Sequence, residues 1–400
     1  MNLQDFSAKI SDVPMDRVPK EMRPILDDPK VLFDIHCHVF SYKDVPNRFI
    51  GMRIPMNRRA LAKIEHFLHK ILGHTDTDWF SRRANFLHLL QTCSPWEISQ
   101  KLANYYPNRK AIMAPLTLDM ETGIKGKVKH SFEDQIEWTK ELRDQKPDAL
   151  LPFLCVDPNH PRVKQNFLKA FSTEDSYQFF GVKVYPSLGY LPSHPVLMEI
   201  FRICEEKNIP VTAHCGGARV HTSRKFIKQI PGLHKDASGT WRYQEKNRLF
   251  LRKKAYSTFF NDPKNWEPVL EKYPSLKLNL AHFGGTKDWK KFCKGNHNNR
   301  VSYILDMMNR YEYVYADFSY TFHVQTYNLR LKQMLEQNKL LAKRLLFGSD
   351  FYMIVLEGDY RLILADFITI MGDRLMEKIS VENPKQFLFE QVSIPSRLGV

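Results

Sequence analysis

The sequence contains no long hydrophobic run. Over its 400 residues, no stretch approaches the roughly 20 consecutive apolar residues that a membrane-spanning helix requires. Residues 1–20 also contain no apolar segment of signal-peptide length. These absences predict a cytoplasmic protein that does not cross a membrane.

Cysteine is scarce as well, and its spacing excludes several classes of protein. The six cysteines are Cys37, Cys93, Cys155, Cys204, Cys215 and Cys293. No two of them have the CxxC spacing of zinc ribbons or redox motifs. We therefore expect reduced, buried thiols in place of a disulfide framework.

Internal repeats and low-complexity tracts are also missing, whereas basic residues are abundant. The chain carries a formal net charge of +15, with its densest basic clusters at 248–254 and 287–294. Because the charge is spread along the chain, it favours a solvated basic surface over a nucleic-acid interface. It is compatible with a small anionic substrate that enters a positively charged cleft.

The chain does contain a recurring unit, in which a short apolar run precedes a longer amphipathic stretch. This alternation is typical of βα units around a parallel sheet. Eight such runs occur, the number that a closed barrel requires, at 31–38, 110–118, 149–156, 179–185, 210–214, 276–282, 313–319 and 344–350. The sequence therefore predicts an α/β fold, a (β/α)8 TIM-type barrel that forms one domain over residues 1–400.

Two connections are too long for simple βα units, and they follow the first and fifth predicted strands. Residues 41–109 are rich in histidine, arginine and aromatic residues and predict several helices. Residues 216–260 predict an irregular segment followed by a helix. Because loops that follow the strands lie at the catalytic face of a TIM barrel, we expect both insertions to form helical lids.

The most distinctive motif is Asp34-Ile-His36-Cys-His38, at the end of the first predicted strand. Residues two apart on a strand share a face, so Asp34, His36 and His38 are predicted to point into the barrel. Ile35 and Cys37 would then face the surrounding helices. Two imidazoles that converge there suit a metal such as Zn²⁺, although an HxH pair alone is equally compatible with two ordinary buried histidines.

Ionisable residues also lie at the ends of four other predicted strands. Lys183 lies in the fourth run, and Asp350 ends the eighth. His214 and His282 end the fifth and sixth, each just before a pair of glycines. Burying so many polar groups at one level of a barrel is costly unless they are paired or bind a metal. A shared metal centre is the better explanation.

In the order of these motifs, the chain resembles the amidohydrolase superfamily, and specifically its amidohydrolase-related branch, amidohydrolase-2. The resemblance runs from the HxH motif to residues 382–385, and the phrases at 182–190 and 280–285 carry much of it. It implies a metal centre whose ligands are His36, His38, Lys183, His214, His282 and Asp350. The first two histidines and the aspartate would hold one ion. The lysine, carboxylated on its amine, would bridge to a second ion held by the other two histidines.

The resemblance also implies an activity. We expect a hydrolase that cleaves a C–N or C–O bond in an amide, cyclic amide, lactone or ester, with a metal-activated water and Asp350 as general base and then acid. Zn²⁺ is the expected ion, with one or two ions bound and Mn²⁺ as another candidate. A non-oxidative decarboxylase of an aromatic or unsaturated acid is the main alternative, and a TatD-like nuclease is a weaker one. Lys183 favours hydrolysis, because decarboxylases of the branch usually lack this lysine.

Other polar residues are assigned to substrate binding or to support. Tyr185 ends the fourth run, and Arg219 and His221 follow the fifth; all three are predicted to bind the substrate. Asp157 and Asp317, at the ends of strands three and seven, are predicted to hold loops or metal-binding histidines, and Asp34 is predicted to support the histidines in the same way. We expect the partner to be a small, anionic molecule, with no membrane or nucleic acid, and a homodimer as the default assembly.

Overall fold

The computed structural model describes residues 18–46, 82, 86, 88–90, 93–106, 108–124, 126–171, 179–217, 220, 222, 229–236, 238–246 and 253–392. Its strands are β1 Val31–Cys37, β2 Lys110–Pro115, β3 Phe153–Cys155, β4 Gly181–Val184, β5 Val211–His214, β6 Ile230–Lys235, β7 Trp241–Lys246, β8 Leu278–Ala281, β9 Val314–Asp317 and β10 Leu345–Leu346. The eight predicted apolar runs each contain one of these strands, while β6 and β7 were not predicted.

The helices alternate with the strands. They are α1 Pro95–Ala103, α2 Phe132–Gln145, α3 Val163–Phe171, α4 Pro195–Glu206, α5 Lys253–Phe260, α6 Glu267–Lys272, α7 Thr286–Cys293, α8 Arg300–Arg310, α9 Gln325–Gln337, α10 Lys339–Arg344, α11 Phe351–Ile354, α12 Tyr360–Met371, α13 Asp373–Glu377 and α14 Asn383–Phe389. A π-helical turn, Lys378–Glu382, joins the last two. Capping boxes begin α1 at Ser94 and α2 at Ser131, where each serine accepts an amide hydrogen bond from the third helical residue.

The parallel strands close into a barrel. β1 pairs with β2, and a six-stranded sheet has the order β10-β9-β8-β5-β4-β3. Parallel bridges from Met113 to Leu150 and from Leu116 to Phe153 join β2 to β3. On the other side, Ile35 N donates to Phe347 O at 3.1 Å. Because both gaps between the two sheets are bridged, the predicted α/β barrel is confirmed.

The barrel interior is apolar in its lower half. Phe33, Ile112, Phe153 and Tyr315 belong to one buried cluster, which also contains Phe387 of α14. The C-terminal helix therefore covers the end of the barrel at which the strands begin. Alternate strand residues such as Leu154 pack outward in a second, larger cluster with the helices. This division leaves the opposite end, where the strands finish, for polar side chains.

The long connection after β5 differs from its prediction. In addition to α5, it contains an antiparallel hairpin, in which β6 pairs with β7. The turn is held by Asp236, whose Oδ1 accepts the amide hydrogens of Ser238 and Thr240 at 2.9 and 3.0 Å. The prediction of an irregular segment before the helix is therefore wrong over 230–246. Most of the first insertion lies outside the described residues, and a lid role for both stays a prediction.

Two expectations about the chain as a whole can be compared with the structure. All six cysteines are free thiols, and five are buried, but Cys293 is exposed, so the prediction that every thiol is buried is wrong at this position. Among the described residues, no helix is both long enough and apolar enough to cross a membrane.

Candidate metal centre

A β-bulge in β1 determines which side chains enter the barrel. Asp34 lies opposite Met113 of β2, whereas Cys37 lies opposite Pro115, so three steps on β1 match two on β2. As a result Ile35 joins the interior apolar cluster, and the next residue, His36, also points inward. Asp34 instead points outward. The prediction that Asp34 shares the inner face with the two histidines is wrong, and so is the outward placement of Ile35.

His36 is fully buried, and its orientation is fixed by a carboxylate. Its Nδ1 lies 3.0 Å from Asp317 Oδ2. Burial lowers the pKa of His36, despite the nearby Asp317, so the neutral ring donates its Nδ1 hydrogen to that acceptor. Its Nε2 is buried without a hydrogen-bond partner in the described part of the chain. This nitrogen therefore presents a lone pair to the centre of the barrel.

His38 presents a lone pair in the same way. Its Nδ1 donates to Leu116 O at 2.9 Å, and burial holds the pKa of the ring well below its usual value. The Nε2 atom is thus left as an acceptor, and it lies 3.6 Å from Asp350 Oδ1. A backbone carbonyl that fixes the tautomer is the usual arrangement for a metal-binding histidine.

His214 and His282 form a direct imidazole pair. His282 Nδ1 lies 2.9 Å from Ser319 Oγ, and that hydroxyl donates its own hydrogen to Asp317. His282 must therefore donate from Nδ1, which leaves its Nε2 to accept from His214 Nδ1 at 3.0 Å. Burial lowers the pKa of His282 to about 3 and that of His214 well below its usual value, so both rings are neutral. His214 Nε2 remains without a partner among the described residues.

Asp317 holds this arrangement together. Apart from His36 and Ser319, its oxygens accept hydrogen bonds from Asn279 Nδ2 at 2.8 Å and from His282 N at 2.9 Å. Burial opposes ionisation, but the adjacent His36 and His282, including the His282 amide, hold the pKa of Asp317 well below its usual range. The expectation that Asp317 supports histidines is confirmed. Asp157, whose partners are Thr122 and Asn159, holds its own loop, as was also expected.

Asp350 lies among the imidazoles just after β10. Its Oδ2 is 4.0 Å from His282 Nδ1, and its amide donates to His36 O at 2.7 Å. His36, His282 and Asp350 each offer a possible ligand atom within 4.8 Å of the others. The backbone of Asp350 is left-handed, with φ 46°, and His282 has φ 66°. Such conformations in non-glycine residues are characteristic of functional sites.

Lys183 is the remaining predicted ligand. It is fully buried, and its Nζ has no hydrogen-bond partner within the part of the chain that the structure describes. Burial lowers its pKa to about 8, although the carboxylates of Asp317 and Asp350 oppose this change. An amine that is desolvated in this way exchanges its proton readily near neutral pH.

The predicted substrate-binding residues are only partly described. The ring of Tyr185 stacks on His214 with a centroid distance of 4.3 Å, and burial raises the pKa of its phenol. Arg219 and His221 lie outside the described residues. The sequence analysis missed Ser319 and Asn279. Asn279 carries a signal, because it is a lone amide in an otherwise apolar strand, but Ser319 carries none.

The donor set fits a divalent metal ion. Three buried nitrogen atoms, His36 Nε2, His214 Nε2 and Lys183 Nζ, have no hydrogen-bond partner among the described residues. Burying these nitrogen atoms without a hydrogen-bond partner costs free energy of folding unless a ligand satisfies them. Imidazole nitrogens with a carboxylate suit Zn²⁺ and related first-row ions, and their Nδ1 hydrogen bonds are already in place.

A second cluster of possible ligands, Glu121, Glu133 and His160, is better explained as a network around the ion pair between Arg162 and Glu133, whose Nη2 and Oε2 atoms lie 2.6 Å apart. His160 Nδ1 accepts the amide hydrogen of Arg162 at 3.2 Å, so a neutral ring carries its hydrogen on Nε2. That nitrogen lies 3.7 Å from Glu133 Oε1 and 3.9 Å from Glu121 Oε2. Both distances are too long for hydrogen bonds. With its hydrogen on Nε2 and its Nδ1 accepting from Arg162, the neutral ring has no free lone pair for a metal ion.

Comparisons with known proteins agree with this fold. An uncharacterised TIM-barrel protein from Bordetella bronchiseptica is 15% identical, with a TM-score of 0.52 and coverage of 90% of this chain and 99% of that one. The 2,6-dihydroxybenzoate decarboxylase from Rhizobium is 14% identical, with a TM-score of 0.50 and coverage of 90% and 98%. At these identities the likeness concerns the fold alone. Among curated proteins, none matches the sequence.

A match to a model of a known protein family shows which family the chain belongs to. The family described as Amidohydrolase matches residues 33–389, which include the HxH motif, both strand-end histidines, Lys183 and Asp350. Because the match covers most of the sequence, the chain belongs to the amidohydrolase-2 family of the amidohydrolase superfamily.

Proposed function

We propose that this protein is a metal-dependent hydrolase that cleaves a C–N or C–O bond in a small, anionic amide, cyclic amide, lactone or ester. The position of Asp350 carries the proposal. Its two carboxylate oxygens lie 3.6 Å from His38 Nε2 and 4.0 Å from His282 Nδ1. A carboxylate so placed can both contact an ion and exchange a proton with a reacting group beside it.

His36 and His38 would hold the first ion together with Asp350. The Nδ1 atoms of both rings are engaged, by Asp317 and by Leu116 O, which leaves each Nε2 with a lone pair for an ion. When bound, a divalent ion would supply Lewis acidity that lowers the pKa of a coordinated water towards about 7. The chain's own contribution is to orient these ligands before substrate arrives.

Asp350 would act as the proton carrier. As general base it takes a proton from the attacking water, and as general acid it returns that proton to the leaving nitrogen or oxygen. Its amide bond to His36 O fixes the direction of the side chain relative to the histidines. Tyr185 stays protonated because burial raises its pKa, so its phenol can donate a hydrogen bond to the substrate carbonyl. Arg219 and His221 remain proposed substrate contacts.

The buried amine of Lys183 is the observation that favours a second ion in the proposed centre. This amine has no hydrogen-bond partner among the described residues, and its lowered pKa favours the neutral form that reacts with CO₂. Carboxylation would give this side chain the negative charge and oxygen atoms needed to bridge two ions. His214 and His282 would hold the second ion, Zn²⁺ or Mn²⁺, and for this His282 Nε2 must release His214 Nδ1.

A second ion can bind only if the hydrogen bond between His214 and His282 breaks. This need favours a second candidate function, non-oxidative decarboxylation of an aromatic or unsaturated acid at a single ion. The imidazole pair at 3.0 Å leaves only His214 Nε2 available from these two residues, which suits one ion better than two. Nuclease activity has no comparable support.

Metal content and product analysis distinguish the two candidates. The purified protein is measured for metal per chain and, by intact mass under native conditions, for one added CO₂. It is then assayed with panels of lactones, cyclic amides and aromatic acids. We expect two ions, a carboxylated lysine and hydrolysis products. One ion, an unmodified lysine and release of CO₂ would instead support decarboxylation, and cleavage of DNA that decreases with added salt would support a nuclease.

A further inference from the structure

Asp34 lies close to the metal centre but on the outer face of β1. The bulge turns its carboxylate away from the inward-pointing His36, so it cannot reach the same ion. It is nevertheless fully buried, and both of its oxygens accept hydrogen bonds. We infer that Asp34 is a positioning residue that holds the turn before Asp350 and acts on the centre through that residue. The inference rests on the proposed role of Asp350 as a ligand and proton carrier.

One oxygen of Asp34 joins the two segments that carry the ligands. Its Oδ1 accepts the amide hydrogen of Ser349 at 2.8 Å and that of His36 at 3.3 Å. Ser349 directly precedes Asp350, whose own amide donates to His36 O at 2.7 Å. The carboxylate therefore fixes the spacing between the backbone that carries Asp350 and the backbone that carries His36.

The turn needs such support because its backbone is unfavourable and tightly packed. Asp350 is left-handed at φ 46°, a conformation that residues other than glycine seldom adopt. Gly348 lies directly on β1, since a Cβ atom at this position would lie 2.5 Å from the Cβ of His36. Without a strong acceptor for Ser349 N, the turn could relax away from the strand and take the Asp350 carboxylate with it.

The second oxygen of Asp34 faces the helical layer. Its Oδ2 accepts from Tyr106 OH at 2.8 Å, and Tyr106 OH lies 3.0 Å from Tyr360 OH at the start of α12. Tyr106 holds the carboxylate from outside, whereas the phenol of Tyr360 also hydrogen-bonds with the Ser349 side chain of the turn. Tyr106→Phe is the matched control, because it removes a buried hydrogen bond of Asp34 and leaves both Tyr360 and the bond from Ser349 N in place.

The test compares zinc affinity with stability. The affinity of each variant for Zn²⁺ is measured by competition with a chelator, and the thermal unfolding midpoint is measured for the metal-free protein. For Asp34→Ala we expect zinc affinity to fall by about 10- to 100-fold, the usual effect of losing a group that orients a ligand. Tyr106→Phe should lower the unfolding midpoint but leave zinc affinity within about threefold of the wild type. Asp34→Asn keeps an oxygen for Ser349 N and should restore most of the affinity.

A double variant, Asp34→Ala with Asp350→Ala, tests whether Asp34 affects zinc binding through Asp350. If Asp34 acts through Asp350, Asp34→Ala should weaken zinc binding no further when Asp350→Ala is already present. Wild-type zinc affinity in Asp34→Ala with a lowered unfolding midpoint would overturn the inference and leave only a structural role. Wild-type affinity in Asp350→Ala alone would instead contradict the proposed function. Should Asp34→Ala not fold, Asp34→Leu fills the space without an acceptor and is expected to lose the same affinity.

Discussion

The Nδ1 atom of His214 lies 3.0 Å from the Nε2 atom of His282, and the hydrogen between them belongs to His214. The reason is that His282 already donates its only hydrogen towards Ser319. The pair therefore has a direction, with His282 as the acceptor that leaves His214 Nε2 facing the barrel. His282 is thus in a position to orient a ligand, whether or not it also binds an ion itself.

This direction predicts the effect of removing His282. Without the acceptor, the ring of His214 can rotate and its Nε2 lone pair loses its fixed position, so His282→Ala should weaken zinc binding by about 10- to 100-fold. Chelator competition checks this value. His297→Ala, at an exposed histidine, is the control and should bind zinc as the wild type does. Equal affinity in both variants would show that His214 needs no partner.

Asp350→Asn separates proton transfer from metal binding. The amide keeps an oxygen at the ligand position but cannot accept the proton of the attacking water. We expect turnover of whichever substrate proves active to fall by about 10²- to 10⁴-fold, the usual contribution of a general base. Metal content, measured after equilibration with excess zinc, should remain close to that of the wild type. A variant with full activity would rule out the proposed role.

Asp317→Asn should damage the centre without removing any ligand. An amide nitrogen facing His36 Nδ1 would oppose its hydrogen, and the change also weakens the bond to His282 N. We expect zinc affinity to fall by about 10- to 100-fold, as measured by chelator competition. Asp157→Asn is the matched control, because this buried aspartate also follows a strand, and its carboxylate accepts hydrogen bonds from Thr122 and from Asn159 of its own loop. It should leave zinc binding unchanged.

Lys183 should destabilise the metal-free protein in a pH-dependent way. Its pKa is about 8 in the folded chain against 10.5 for the free side chain, so the unfolded chain binds more protons between these values. The cost of burying the amine is complete below pH 8 and disappears as the pH rises through 10.5. Lys183→Met should therefore stabilise the apoprotein by about 3 kcal/mol at neutral pH and by much less near pH 10.

Urea unfolding in the presence of a chelator, at both pH values, measures this difference. Lys294→Met, at an exposed lysine, is the control and should change stability little at either pH. If Lys183→Met has the same effect at neutral and at alkaline pH, the amine does not carry the proposed burial cost.

The sequence was sufficient for the barrel because each strand is specified locally. Eight apolar runs separated by amphipathic stretches leave few alternatives to a closed parallel sheet, and His214, His282 and Asp350 follow such runs directly. The hairpin β6–β7 was missed because its turn depends on the hydrogen bonds of Asp236 rather than on hydrophobic periodicity. Its Asp-Ala-Ser-Gly-Thr segment was a turn signal that could have been used.

The finer geometry of the metal centre could not be predicted from the sequence. The bulge after Asp34 is a property of the register between β1 and β2, so simple alternation placed Asp34 on the wrong face. The bond between His214 and His282 depends on a distance across two strands and on which nitrogen carries a hydrogen. Neither is encoded in the spacing of either residue along the chain. Asp317 could be identified as a supporting residue, but its individual partners could not.

Gly348 makes the centre sensitive to a single methyl group. Because a Cβ there would lie 2.5 Å from the Cβ of His36, even alanine would push the strand or the turn aside. Every donor and acceptor would still be present, yet the imidazole would be displaced from its place in the coordination geometry. The position of the His36 imidazole thus depends on the space beside Gly348 staying free of atoms, as well as on the hydrogen bonds of the ligands.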